Sequence, residues 1–144
     1  MTDYDDVEKA LISGAQGFFT DNSIDLANVA KENRDFDPTD KTEWFSLRFI
    51  PNEPEPVTAG IGGSDRMTGL FQIDFNVPEK TGLNRLTELE KLARAYFWGG
   101  KSITYGSAVV RIRKAGFNAG RIVSNFYRRS LTLTFYSDLT RSGA

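Results

Sequence analysis

The sequence predicts an α+β fold: a mostly antiparallel five-stranded sheet with two main helices packed on one face, in the order αββαβββ. Three features carry the prediction. Two stretches place apolar residues at helical spacing, five others read as strands by their apolar–polar alternation, and proline or glycine residues end the first two strands and the second helix. No internal repeat is visible, and 144 residues suit one domain over 1–144.

The first helix is expected over 3–18. Val7, Leu11, Ala15 and Phe18 form one apolar line, with Ala10 and Phe19 beside it. Asp3, Asp5, Asp6 and Glu8 crowd its first turns, where the positive end of the helix dipole favours them. Gly14 and Gly17 weaken it, since ordering a glycine costs more backbone entropy than ordering any other residue. Residues 20–43 are polar, broken by Pro38, and read as a long connection with one helical turn around 26–30. The first strand, 44–50, sends Phe45, Leu47 and Phe49 to one side and Trp44, Ser46 and Arg48 to the other. Pro51, Pro54 and Pro56 end it, because proline cannot donate to a ladder. Gly60, Gly62 and Gly63 follow. The stretch 51–66 is therefore expected to be a loop between the first two strands, at about 15 residues long for a hairpin connection and the prime candidate for a functional one.

Residues 67–77 alternate, with Phe71, Ile73, Phe75 and Val77 opposite Thr68, Gln72, Asp74 and Asn76. Pro78 and Gly82 break that strand. The second helix, 84–97, buries Leu86, Leu89, Ala93, Tyr96 and Phe97, with Leu92 widening the stripe. Glu90 and Arg94 stand in the favourable i,i+4 order, worth about 0.2–0.5 kcal/mol. Gly99-Gly100 stops the helix. Three strands close the chain at 107–114, 119–128 and 130–137. In the last, Leu131, Leu133 and Phe135 oppose Thr132, Thr134 and Tyr136. Burying these apolar rows under the helices forms the core, each side chain contributing about 1.5–3 kcal/mol. The opposite sheet face carries arginine, threonine and tyrosine, and is either solvated or pressed against a polar partner.

Composition restricts chemistry. The chain has no histidine and no cysteine, which removes most zinc, copper and haem ligation and the usual acyl-transfer triads. Its apolar runs fall far short of the roughly 20 residues that cross a bilayer. Its acidic start lacks the basic residues of an export signal, and the absence of cysteine suits the cytosol. Charge is lopsided. Residues 1–43 hold eleven acidic and four basic side chains, a net −7, while residues 101–144 hold eight basic and one acidic, a net +7. Such ends could pair within one subunit, or between one copy and the next.

Few residues suggest a reactive site. Gly60-Ile-Gly-Gly63 lacks the spacing of a dinucleotide or Walker loop, and Glu53 and Glu55 before it would repel phosphate. Asp35, Asp37 and Asp40 miss the calcium-loop pattern and read, like Glu53 and Glu55, as solvated. Arg48, Arg111, Arg113, Arg121, Arg128 and Arg129 lie in strands, with Arg111 and Arg113 on one strand face so that their charges gather. They read as a solvated face, a subunit interface or, less favourably, a nucleic-acid surface without recognition-helix or RNP signature. Trp98, at a helix end, reads as core; Trp44, beside Arg48, reads as an interface anchor.

Residues 44–56 run Trp-Phe-Ser-Leu-Arg-Phe-Ile-Pro-Asn-Glu-Pro-Glu-Pro, followed by Gly60-Ile-Gly-Gly63, Gly69-Leu-Phe-Gln-Ile-Asp-Phe-Asn-Val-Pro78 and Gly82. This succession resembles the tail terminator-like proteins of long-tailed bacteriophages, in which a proline/glutamate loop separates a first strand from a Gly-x-Phe-Gln-x-Asp strand. The resemblance covers about residues 44–137. It implies a structural virion protein that forms a hexameric ring, ends tail-tube polymerisation and supplies the head–tail joining surface. It also implies assembly in the host cytoplasm, a place at the head-proximal end of the tail, and no catalytic residue, cofactor, metal or membrane. Its partners would be further copies of itself, the tail tube protein and a connector or stopper, with DNA only passing through the lumen. Residues 53–66 would project from the ring. Trp44, Arg48, Glu53, Glu55, Arg66, Arg111, Arg113, Arg121, Arg128 and Arg129 would supply subunit or tube contacts. A connector or stopper, and a small nucleic-acid binder, are the alternatives.

Overall fold

The computed structural model describes residues 4–31, 35–39, 41–58, 60 and 63–140, with Tyr4 and Thr140 as backbone only. Helix α1 (Tyr4–Asp21) buries Val7, Ala10, Leu11, Ala15, Phe18 and Phe19, the expected stripe, and runs past the expected end. Gly14 and Gly17 do not break it; they mark its closest approaches. A Cβ at Gly14 would fall 2.8 Å from Ile103 Cδ1, and one at Gly17 would fall 2.5 Å from the Tyr96 hydroxyl. Close packing there offsets a propensity cost of about 1 kcal/mol per glycine. The connection holds a 3-10 turn (Leu26–Asn28), whose Asp25 cap accepts from the Ala27 N–H at 2.9 Å.

The sheet corrects the sequence reading. It has eight strands instead of five, and it is mixed and curled. Strand β1 (Val29–Ala30) pairs in parallel with β2 (Trp44–Pro51), and β3 (Glu55–Pro56) pairs with the start of β4 (Ser64–Pro78). After helix α2 (Asn84–Tyr96) come β5 (Ser102–Tyr105), β6 (Ala108–Phe117), β7 (Arg121–Val123) and β8 (Phe126–Thr140). The order across the sheet is β1-β2-β4-β8-β6-β5, with β3 on β4 and β7 on β8. The added strands are two to four residues long, too short for a period of two to stand out. The spine is the antiparallel ladder of β4 and β8, paired from Ser64↔Thr140 to Pro78↔Phe126 and about 50 Å long at strand rise.

The expected strand break at 128–130 lies instead at Ser124-Asn125. Both residues have positive φ, 48° and 68°, in a two-residue loop between Val123 and its partner Phe126. That is the hairpin turn whose twist matches the strands, here written without glycine. Replacing the pair by Asn-Gly is expected to raise stability by about 1 kcal/mol, because left-handed backbone penalises a Cβ. A thermal melt that moves downward or not at all refutes this.

The core forms where the helical stripes meet the sheet rows. Phe18 packs on Phe75 and Phe97 at ring separations of 6.3 and 5.6 Å, and Phe45 on Phe19 and Phe75 at 5.0 and 5.6 Å. Leu86, Leu89, Ala93, Leu131, Leu133 and Phe135 are buried among them. Lys101 Nζ donates to the Tyr96 carbonyl at 2.7 Å and lies 3.5 Å from the Tyr96 ring centre, closing the C-terminus of α2 with a cation. Two expectations fail at this helix. Trp98 is 53% exposed instead of core. Glu90 turns to Arg129 and Arg94 stacks over Phe117 at 5.0 Å, so the pair expected within the helix is replaced by two tertiary contacts.

Candidate functional site

Both helices lie on the core face; the other sheet face carries no helix, and Phe36 of the connection packs on Trp44 at one end of it. Register sorts that outer face into rows. Trp44, Asn76, Arg128 and Arg121 align across β2, β4, β8 and β7. The next rows are Ser46, Asp74 and Ser130, then Arg48, Gln72 and Thr132, then Ile50, Leu70, Thr134 and Lys114. Thr68, Tyr136 and Arg111 follow.

One end of this face is a closed polar network. Asp74, 9% exposed, accepts from Ser46 Oγ and Gln72 Nε2, both at 2.9 Å, and from Ser130 Oγ. Arg128 Nη1 lies 3.8 Å from Asp74 Oδ2, while its Nε donates to Asn76 Oδ1 at 2.7 Å. Asn76 in turn donates to the Trp44 carbonyl at 3.2 Å. Burial alone would raise the Asp74 pKa. The donors Ser130, Gln72 and Ser46, with the positive charge of Arg128, outweigh it and hold the carboxyl below its ordinary value.

The other end is cationic, and a β-bulge makes it so. Arg111 faces Tyr136, but the next outward pairing is Lys114 with Thr134, because Arg113 is the extra residue between Ile112 and Lys114. Three cations, Arg111, Arg113 and Lys114, therefore crowd one stretch of β6, all exposed. Arg113 stacks on the Tyr136 ring at 4.7 Å and Arg66 stacks there at 4.6 Å. Arg66 also grips Asp138 with two hydrogen bonds, 2.8 and 3.2 Å, which lower the Asp138 pKa. Arg111 Nη1 donates to Ser102 Oγ at 3.0 Å.

Not every residue singled out in the sequence gathers here. Arg48 and Arg121 are exposed on the outer face, and neither forms an ion pair among the described residues. Arg121 stands directly opposite Arg128, and like charges in that position are destabilising. Arg128 belongs to the Asp74 network. Arg129 points to the other face, where it bonds Glu90, and its Nε is buried without a partner. Trp44 is partly buried against Phe36, Phe126 and the Arg128 guanidinium at 5.3, 5.9 and 5.6 Å, its Nε1 without an acceptor. Glu53 and Glu55 are exposed, with Glu55 opposite Arg66 in the β3–β4 register. The sequence reading missed Asp74, Tyr136 and Lys114. A signal for Lys114 exists: core residues Val110 and Ile112 are followed by Ala115, a step of three where a regular strand steps by two.

Among the described residues no group of three or more acidic side chains could hold a metal ion, and no helix is long and apolar enough to cross a membrane. No curated protein matches the chain. A solved structure of 16% sequence identity superposes with a TM-score of 0.65, covering 92% of this chain and 95% of its own, and so shares the fold. A family described as phage tail terminator protein matches residues 7–132, from the first core position of α1 well into β8. The chain belongs to that phage tail terminator family, structural virion proteins of tail assembly.

Proposed function

We propose that copies of this chain close into a homo-hexameric ring at the head-proximal end of the tail. The ring ends polymerisation of the tail tube and offers a connector or stopper its joining surface. The observation that carries this reading, beside the family, is a pair of unlike surfaces on one chain. The outer sheet face is basic, while the segment 53–57 exposes Glu53 and Glu55, and helix α1 with the connection after it exposes Asp5, Asp21 and Asp25. A closed ring needs a heterologous interface, one surface meeting a different one on the next copy. Trp44, Arg48, Glu53, Glu55, Arg66, Arg111, Arg113 and Arg121 contribute contacts to neighbours or tube, and the arm over 53–66 projects from the ring. Arg128 and Arg129 act there through the side chains they already hold. The role is structural and involves no chemistry; the ring assembles in the host cytoplasm, and DNA only passes through its lumen.

Electron microscopy of tails grown with and without the protein tests this. Tubes of uncontrolled length in its absence are expected. Tails of normal length that fail to join heads would point to a connector or stopper instead, and overturn the reading.

A further inference from the structure

We propose that the acidic arm over 53–57 of one copy docks on the bulge cations Arg111, Arg113 and Lys114 of a second copy; this rests on the ring reading above. The bulge is the first reason. Without it Lys114 would turn to the core, and with it three positive side chains share one exposed stretch. The exposed carboxylate nearest them on β8, Asp138, is already gripped by Arg66. Asp138 also attracts Arg111, but none of Arg111, Arg113 and Lys114 forms an ion pair among the described residues.

The arm has the complementary chemistry. Glu53 and Glu55 are exposed and form no ion pair among the described residues. Two positions apart, they line one surface hollow with Arg66 and Thr68, so their charges share one neighbourhood. Pairing with β4 and the rings of Pro54 and Pro56 already hold the arm, so less conformational freedom is lost when it docks. Val57, 51% exposed, follows them, and the basic face offers it Leu70 and Val109, 38% and 41% exposed. An apolar contact ringed by arginine and carboxylate is the usual anatomy of an interface.

Position makes the contact one between copies. The arm pairs with β4 as β3, and β8 lies between β4 and β6, so three strand spacings, about 14 Å, separate arm and cluster across the sheet of one chain, and the register offsets them along the strands as well. They also sit on opposite sides of the β4–β8 spine. An arm leaving one side to meet cations on the other side of the next copy is a head-to-tail contact.

A charge-exchange experiment on the full chain tests this. The variants are Glu53→Lys with Glu55→Lys, and Arg111→Glu with Lys114→Glu, all at exposed positions, with folding verified by thermal melts. Ring content is counted by electron microscopy in the presence of tail tubes. Each variant alone is expected to lose at least tenfold in ring content. An equal mixture of the two is expected to recover it, because a ring alternating the two variants pairs opposite charges at every contact. Rings formed normally by either variant, or no recovery in the mixture, overturn the proposal while leaving the ring itself standing. The same holds if the mixture fails and Arg111→Glu with Lys114→Glu loses binding to tubes or nucleic acid, which would identify another occupant. If the wild-type chain forms no ring with tubes, the ring reading falls and takes this contact with it.

Discussion

Replacing Asp74 by alanine is expected to destabilise the fold by about 3 kcal/mol or more, the scale for breaking a largely buried ion pair from one side. The substitution strands Arg128, whose side chain is 18% exposed, and leaves Ser46, Gln72 and Ser130 without their shared acceptor. A domain of this size holds only about 5–15 kcal/mol in total, so the loss should be plain in a urea titration. Asp74→Asn keeps the shape and removes the charge, and should cost less. The two proteins should also differ in acid. The Asp74 carboxyl titrates below its ordinary value of 3.8 when folded, so its contribution is complete above that pH and fades as pH falls through the lower folded value. The stability gap between wild type and Asp74→Asn should therefore narrow from pH 6 to pH 2. A gap that is constant or widens would show that the ionised carboxylate does not hold this network.

Gly69→Ala is expected to cost about 1–3 kcal/mol, and Gly69→Val more. A Cβ at Gly69 would fall 2.6 Å from the Ile50 carbonyl oxygen, 2.9 Å from Pro51 Cα and 3.1 Å from Phe135 Cζ. Two of these are backbone atoms, which no rotamer change relieves. β2 would have to part from β4 at the Pro51↔Gly69 pairing, next to the start of the acidic arm. Gly116→Ala is the control, because a Cβ there meets nothing within 4 Å. Equal melting temperatures for Gly69→Ala and wild type would contradict the close approach.

Gly69 and Asp74 are the ends of the run Gly-Leu-Phe-Gln-Ile-Asp that carries the family resemblance, and the structure gives that run a physical meaning. Five positions apart in a strand, they face opposite ways. Gly69 admits the neighbouring strand, Phe71 and Ile73 fill the core, and Gln72 orients Asp74 on the outer face. The run reads in sequence as simple alternation, which is enough to place the strand. It does not reveal the network, because Ser46, Ser130 and Arg128 reach Asp74 only through the register of three strands. Both helices, β2, β4 and the apolar row of β8 are legible because each repeats its period several times. Val29–Ala30 and Glu55–Pro56 are too short to repeat anything, and the second contains a proline, which argues against a strand. The Ser102–Tyr105 strand carried a missed cue: Gly106-Ser107 separates it from β6, and a two-residue loop beginning with glycine signals a hairpin. Ser124-Asn125 is harder to see, since a left-handed turn is ordinarily announced by glycine. Trp98 reads as core from its place after a buried stripe, yet the chain has already left the helix at Phe97, and Trp98 lies outside the packed stripe.

Cryo-electron microscopy of the head-proximal tail end would test the central idea most directly, that unlike faces of one chain join copies into a closed cap. The expected map shows a six-membered ring of this fold on the last tube layer, with β6 of each subunit against residues 53–57 of its neighbour. A tube end bare of this protein, or a ring whose subunits leave the basic sheet face uncovered, would contradict it.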